Sequence, residues 1–78
     1  KPKNYQKILN SPMETIRIKA ADILDNMRGW VAAETLVRAQ GKLPRWLNEA
    51  REWYIPIGEK VGHKIKEQMS EIVQYFEA

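Results

Sequence analysis

Seventy-eight residues without a cysteine must fold on one small core, with no disulfide staples and no thiolate metal ligands. An apolar fraction of 44% is too high for a disordered chain, yet no apolar run approaches the ~20 residues that span a bilayer. Thirteen basic against ten acidic residues leave a net charge of +3, which permits anionic partners without demanding them.

The chain starts at Lys1 without a methionine, and no segment reads as a signal peptide, so a processed product or a fragment is expected. Residues 1–10 carry three lysines and show no clear period. They read as a basic flexible arm, anchored late by Ile8 and Leu9, ahead of a single helical domain over 11–78. Ser11-Pro12-Met13-Glu14 is the clearest helix start: serine as cap, proline in the first helical position, and Glu14 reaching back to close a capping box.

Met13, Ile16, Ala20, Ile23, Leu24 and Met27 then recur at three- and four-residue steps, one apolar stripe on a helix. Continued without a break, that helix would put Glu34 and Arg38 on the stripe and turn Leu36 to the opposite side. The first helix is therefore expected over about 12–28, with Gly29 as a left-handed terminator. A second, about 30–40, buries Trp30, Ala33, Leu36 and Val37 and ends at Gly41. Lys42-Leu43-Pro44 makes the next joint, since the residue before proline is pushed out of helical geometry.

The third helix, about 44–54, carries a face of Leu43, Trp46, Leu47, Ala50, Trp53 and Tyr54. Its large aromatics read as core, sharing it with the last helix, before they read as interface anchors. Pro56 removes a backbone donor and predicts a boundary or kink at Ile55. The last helix, about 56–77, shows Ile57, Val61, Ile65, Met69, Ile72 and Phe76 on one side, with Lys, Glu and Gln between them. The sum is an all-α chain, a small four-helix array with a basic N-terminal arm.

The inventory disfavours catalysis. The single histidine, His63, falls opposite the apolar stripe of its helix, near Glu59 and Lys66, and reads as an exposed surface group. Asp22/Asp25 and Glu67/Glu71 have the spacing of paired carboxylates, but both pairs lie on polar faces among lysines and arginines. No glycine-rich loop is present to cradle a phosphate. No catalytic residue, metal ligand or cofactor contact is assigned, and the chain reads as non-enzymatic.

Three features suggest partners. Gly58 and Gly62 leave a flat notch beside Val61 where another helix can come close, either within the chain or from a partner, and Ile18 projects from a polar back beside Arg17 and Lys19. Arg38, Lys42 and Arg45 surround the Gly41 joint as candidate anion contacts, with Lys1, Lys3 and Lys7 in the arm. A helix-turn-helix fails here because Pro44 enters the would-be recognition helix. The helices after Leu43, punctuated by Pro56 and flanked by lysines, also fit a lipid-surface reading and resemble exchangeable apolipoproteins in outline, without matching a family motif. The expected function is a helical protein-interaction or structural module of a larger protein or assembly. Association with a protein partner or a second copy comes first, peripheral lipid binding second and nucleic-acid binding third.

Overall fold

Apolar residues at helical spacing, with good helix formers between them, give helices almost throughout. In the computed structural model, which describes residues 5–77, the order is α1 (Tyr5–Leu9), α2 (Met13–Ala32), α3 (Glu34–Ala39), α4 (Leu43–Glu49), a π-helical segment (Ala50–Tyr54), α5 (Ile55–Val61) and α6 (His63–Glu77). No strand occurs among the described residues, and the fold is all-α. α5 packs on both α2 and α6, which also pack on each other. The core at their junction is built from Ile16, Ala20, Leu24 and Met27 of α2, Ile57 of α5, and Met69, Val73 and Phe76 of α6. Met27, Ile57 and Met69 are the largest fully enclosed side chains, and each such burial stabilises the fold by about 1.5–3 kcal/mol.

The N-terminal region is more ordered than its composition suggested. Residues 5–9, expected within the flexible arm, form α1, and Tyr5, Ile8 and Leu9 pack against the core cluster. The rest of that arm, residues 1–4 with Lys1 and Lys3, lies outside the described residues. This helix changes the work of Ser11. Its hydroxyl donates to the Lys7 carbonyl at 2.8 Å, closing the open end of α1, and no side chain caps α2. The expected capping box does not form, because a carbonyl that needs a donor sits one turn behind the serine.

Gly29 does not end a helix. Its carbonyl accepts the Ala33 N–H at 3.0 Å, the glycine is exposed, and the only glycine with positive φ is Gly41. The stripe runs past it because Trp30 and Val31 stand three and four residues after Met27 and both pack on the core. The helical geometry is interrupted at Ala33, with φ −113° and ψ 38°. Leu36, expected inside, is 63% exposed, while Val37 is buried. The phase argument for a break at Gly29 assumed that Leu36 must be covered, and it is not. Gly41, at φ 73°, does close α3, since a left-handed residue there carries no Cβ penalty.

Pro56 does not break the chain either. A proline inside a helix lacks a donor and its ring strikes the carbonyl one turn back. The turn before it is widened: the Ile55 N–H donates to the Ala50 carbonyl, five residues away, and Pro56 falls in the first turn of α5. Residues 43–61 are therefore helical without interruption. The real joint is Gly62, whose extended backbone (φ 167°, ψ 164°) any residue can adopt. Its N–H completes α5 by donating to the Gly58 carbonyl, and its carbonyl opens α6 by accepting from Lys66.

Candidate functional site

The two glycines of the expected notch have separate fates. Gly58 is buried between α5 and α6, where an added Cβ would stand 2.7 Å from Met69 Sδ and 3.1 Å from Ile65 Cγ2. That removes Gly58 as a partner contact: the close approach is made within the chain. Gly62 lies outside both helices, and a Cβ there would meet nothing within 4 Å. No two-glycine groove faces outward. Ile18 is 64% exposed on α2.

Two of the three basic residues expected around the Gly41 joint do share one surface. Arg38 from α3 and Arg45 from α4 line an open cleft of about 680 Å³, joined by Arg51 from the π-helical segment. Leu43, Leu47 and Phe76 form the apolar side of the same cleft. Lys42, grouped with Arg38 and Arg45 in the sequence, does not line it. Arg51 was missed, although Arg45, Asn48 and Arg51 recur at three-residue steps and so share a side of the helix.

Within this cleft, Arg38 Nε donates to Glu34 Oε2 at 2.8 Å, and the guanidinium carbon stands 5.3 Å from the Phe76 ring centroid. Tyr75 Oη donates to the other Glu34 oxygen at 2.6 Å. The Tyr75 hydroxyl, with Arg38 beside it, holds the Glu34 carboxyl below its usual value, and the same carboxylate pushes the Tyr75 phenol up. Arg51 pairs with Glu77 of α6. Glu34 and Arg38 thus form a surface polar partnership with the aromatic end of α6, while Val37 is the buried residue of α3.

A second depression, of about 380 Å³, lies among Tyr5, Trp30, Trp46 and Tyr54, with Glu49 and Asn26 at its edge. Trp30 and Trp46 stack with centroids 5.5 Å apart, and Tyr5 stands edge-on to Tyr54 at 5.6 Å. Tyr54 gives its one proton to Glu49 Oε1 at 3.1 Å, so the Tyr5 hydroxyl, also 3.1 Å away, is the donor to Tyr54. Burial, helped by Tyr5 and Glu49, pushes the Tyr54 phenol well above its ordinary range. Trp46 and Tyr54, expected in the core with the last-helix stripe, are half-buried and pack against its edge beside Trp30, while half-buried Trp53 packs on Tyr5.

The remaining polar groups stand apart. His63 Nε2 is 3.0 Å from Glu67, one turn on, not from Glu59, which faces Lys66. Asp22, Asp25, Glu67 and Glu71 are exposed. Among the described residues, no three His, Cys, Asp or Glu side chains gather as a metal site requires, and no helix is long and apolar enough to cross a membrane. The chain matches no protein-family model, and no curated protein or solved structure matches it.

Proposed function

We propose that this chain is a non-catalytic binding module that seats an acidic amphipathic segment of a protein partner in the cleft between α3, α4 and the C-terminal end of α6. The observation that carries this reading is the convergence of Arg38, Arg45 and Arg51 on a concave surface walled by Leu43, Leu47 and Phe76. An apolar wall takes up apolar side chains, and guanidinium groups at the edge match carboxylates in a fixed two-pronged geometry. Arg38 and Arg51 are already oriented by Glu34 and Glu77. Such exposed pairs are weak, so exchanging an internal carboxylate for a partner's costs little.

Lipid binding fits less well. The stripes that would enter a lipid surface are turned into a shared core, with Ala50, Ile57 and Met69 fully enclosed and Leu43 and Leu47 leaving only a narrow edge on the cleft. Catalysis finds less support, since His63 and its neighbour Glu67 form a solvent-exposed pair on α6, while Asp22 and Asp25 stand exposed on α2.

The test is binding of an amphipathic peptide of leucine and glutamate, with its leucine–lysine counterpart as control. The glutamate peptide should bind, with affinity that falls as salt rises, and the lysine peptide should not. Arg45→Glu should weaken binding by about tenfold or more without lowering the melting temperature, as expected for an edge charge reversed against an acidic ligand. Equal binding of both peptides would overturn the proposal. So would tighter binding to phosphatidylserine vesicles or to duplex DNA than to the glutamate peptide.

A further inference from the structure

The aromatic depression lies on another part of the surface, and nothing in the acidic-segment reading accounts for it. Its walls come from α1, α2, α4 and the π-helical segment, so residues far apart in the chain are held against one another. Trp30 and Trp46 form one stacked wall, Tyr54 is tilted 41° to Trp30, and Tyr5 is nearly perpendicular to Tyr54 at 86°. These rings cover part of one another's faces, and what they leave uncovered lines one small space. The hydroxyl chain from Tyr5 through Tyr54 to Glu49 fixes two of the rings and the carboxylate before any ligand arrives.

The chemistry of this lining is selective. Glu49 is the only charged group in it, and no cationic side chain lines it among the described residues, in a chain whose net charge is +3. Glu49 also makes no salt bridge among the described residues. A hard metal ion needs six or more oxygen ligands, and one carboxylate with one amide does not supply them. A weakly hydrated organic cation needs no directed acceptors. It gains from aromatic faces within ~6 Å and from one nearby negative charge. The volume of about 380 Å³ lies at the small end of ligand pockets.

The geometry points to a binding site for a quaternary ammonium group, held over Trp30, Trp46, Tyr5 and Tyr54 and balanced by Glu49. The probe is choline chloride, with the neutral carbon isostere 3,3-dimethyl-1-butanol and equal sodium chloride as controls. Choline should shift the indole signals of Trp30 and Trp46, and its methyl protons should move upfield under the ring currents. The neutral isostere should bind roughly tenfold more weakly, the ratio a partly desolvated cation–π site supplies. Glu49→Gln keeps an acceptor for the Tyr54 hydroxyl, so the fold should hold while choline weakens about threefold or more and the isostere does not. Trp46→Phe preserves a ring and should retain part of the affinity, whereas a folded Trp46→Leu should lose it. Equal affinity for choline and its isostere, or choline shifts that leave Trp30 and Trp46 untouched, would overturn the site.

Discussion

Gly29 and Gly58 both sit inside helices, but a methyl group at each has opposite consequences. At Gly29 an added Cβ meets nothing within 4 Å, and the residue is not left-handed. Gly29→Ala should raise stability by about 0.5–1 kcal/mol through helix propensity and a less free unfolded chain. At Gly58 the same methyl would press on Met69 and Ile65, and Met69 is fully enclosed with little room to swing away. Overpacking of this kind costs ~1–3 kcal/mol, against a propensity gain of at most ~1. Gly58→Ala should therefore lower the urea midpoint and Gly29→Ala should raise it; a reversed order would mean that α5 and α6 do not meet at Gly58. Glu34 makes a second residue-scale case. Its folded carboxyl titrates below the ordinary 4.5 because Tyr75 and Arg38 hydrogen-bond to the charged form. The stability this contributes is fully present above pH 4.5 and is lost as pH falls through the lower folded value. Tyr75 is the mirror image: its folded phenol titrates above 10.0, so its share is present below that pH and disappears as pH rises through the folded value. Tyr75→Phe should flatten both limbs of the stability–pH curve, measured by urea unfolding. Unchanged limbs would show that the phenol–carboxylate bond does not form in solution.

At the scale of elements, the stripes of the long helices and the Gly41 joint were readable, and the other joints were not. The stripes of α2 and α6 obey a local period, and Ile16, Ala20, Leu24, Met27, Met69 and Phe76 are buried where that period puts them. The joints depend on what the next element does. Ser11 turns back to Lys7 because α1 leaves a carbonyl there. Pro56 is absorbed because the preceding turn widens by one residue. Gly62 becomes the corner although its local sequence reads as helix interior. Leu36 shows the same limit, since an apolar residue on the wrong side of a helix can simply stay exposed. A paired substitution measures this. Ile57→Ala removes a fully enclosed side chain from the α2–α5–α6 junction and should cost ~2–5 kcal/mol. Leu36→Ala should change stability by less than about 0.5 kcal/mol, as exposed substitutions do. If Leu36→Ala were as costly as Ile57→Ala, α3 would be rotated from the orientation described.

At the scale of the whole molecule, neither candidate binding surface could be read directly from the chain, because both are made by distance-spanning contacts. Arg38 and Arg45 stood out as a basic group beside Gly41, but the apolar wall that makes them a cleft includes Phe76. The aromatic depression needs Tyr5 against Tyr54, forty-nine residues away, and the helical period of α4 suggested core for Trp46, not a half-open wall. The same distribution of contacts predicts how the molecule opens. α1 has no fully buried residue and is tied down by half-buried Ile8 and Leu9 and by the Tyr5 ring, 5.6 Å from both Trp53 and Tyr54, with its hydroxyl bonded to Tyr54. A five-residue helix has no stability of its own, so α1 should detach while the junction of α2, α5 and α6 stays closed. In native-state hydrogen exchange, the α1 amides should exchange by local opening, with little response to low urea. Amides near Met27, Ile57 and Met69 should exchange together, at a rate that follows global unfolding. Tyr5→Phe, which deletes only the hydroxyl bond to Tyr54, should speed α1 exchange and leave the other three sites unchanged. Protection of α1 equal to that of α5 would show that the N-terminal helix is an integral part of the core. It would also mean that the aromatic depression is held by the whole fold and not by one docked turn.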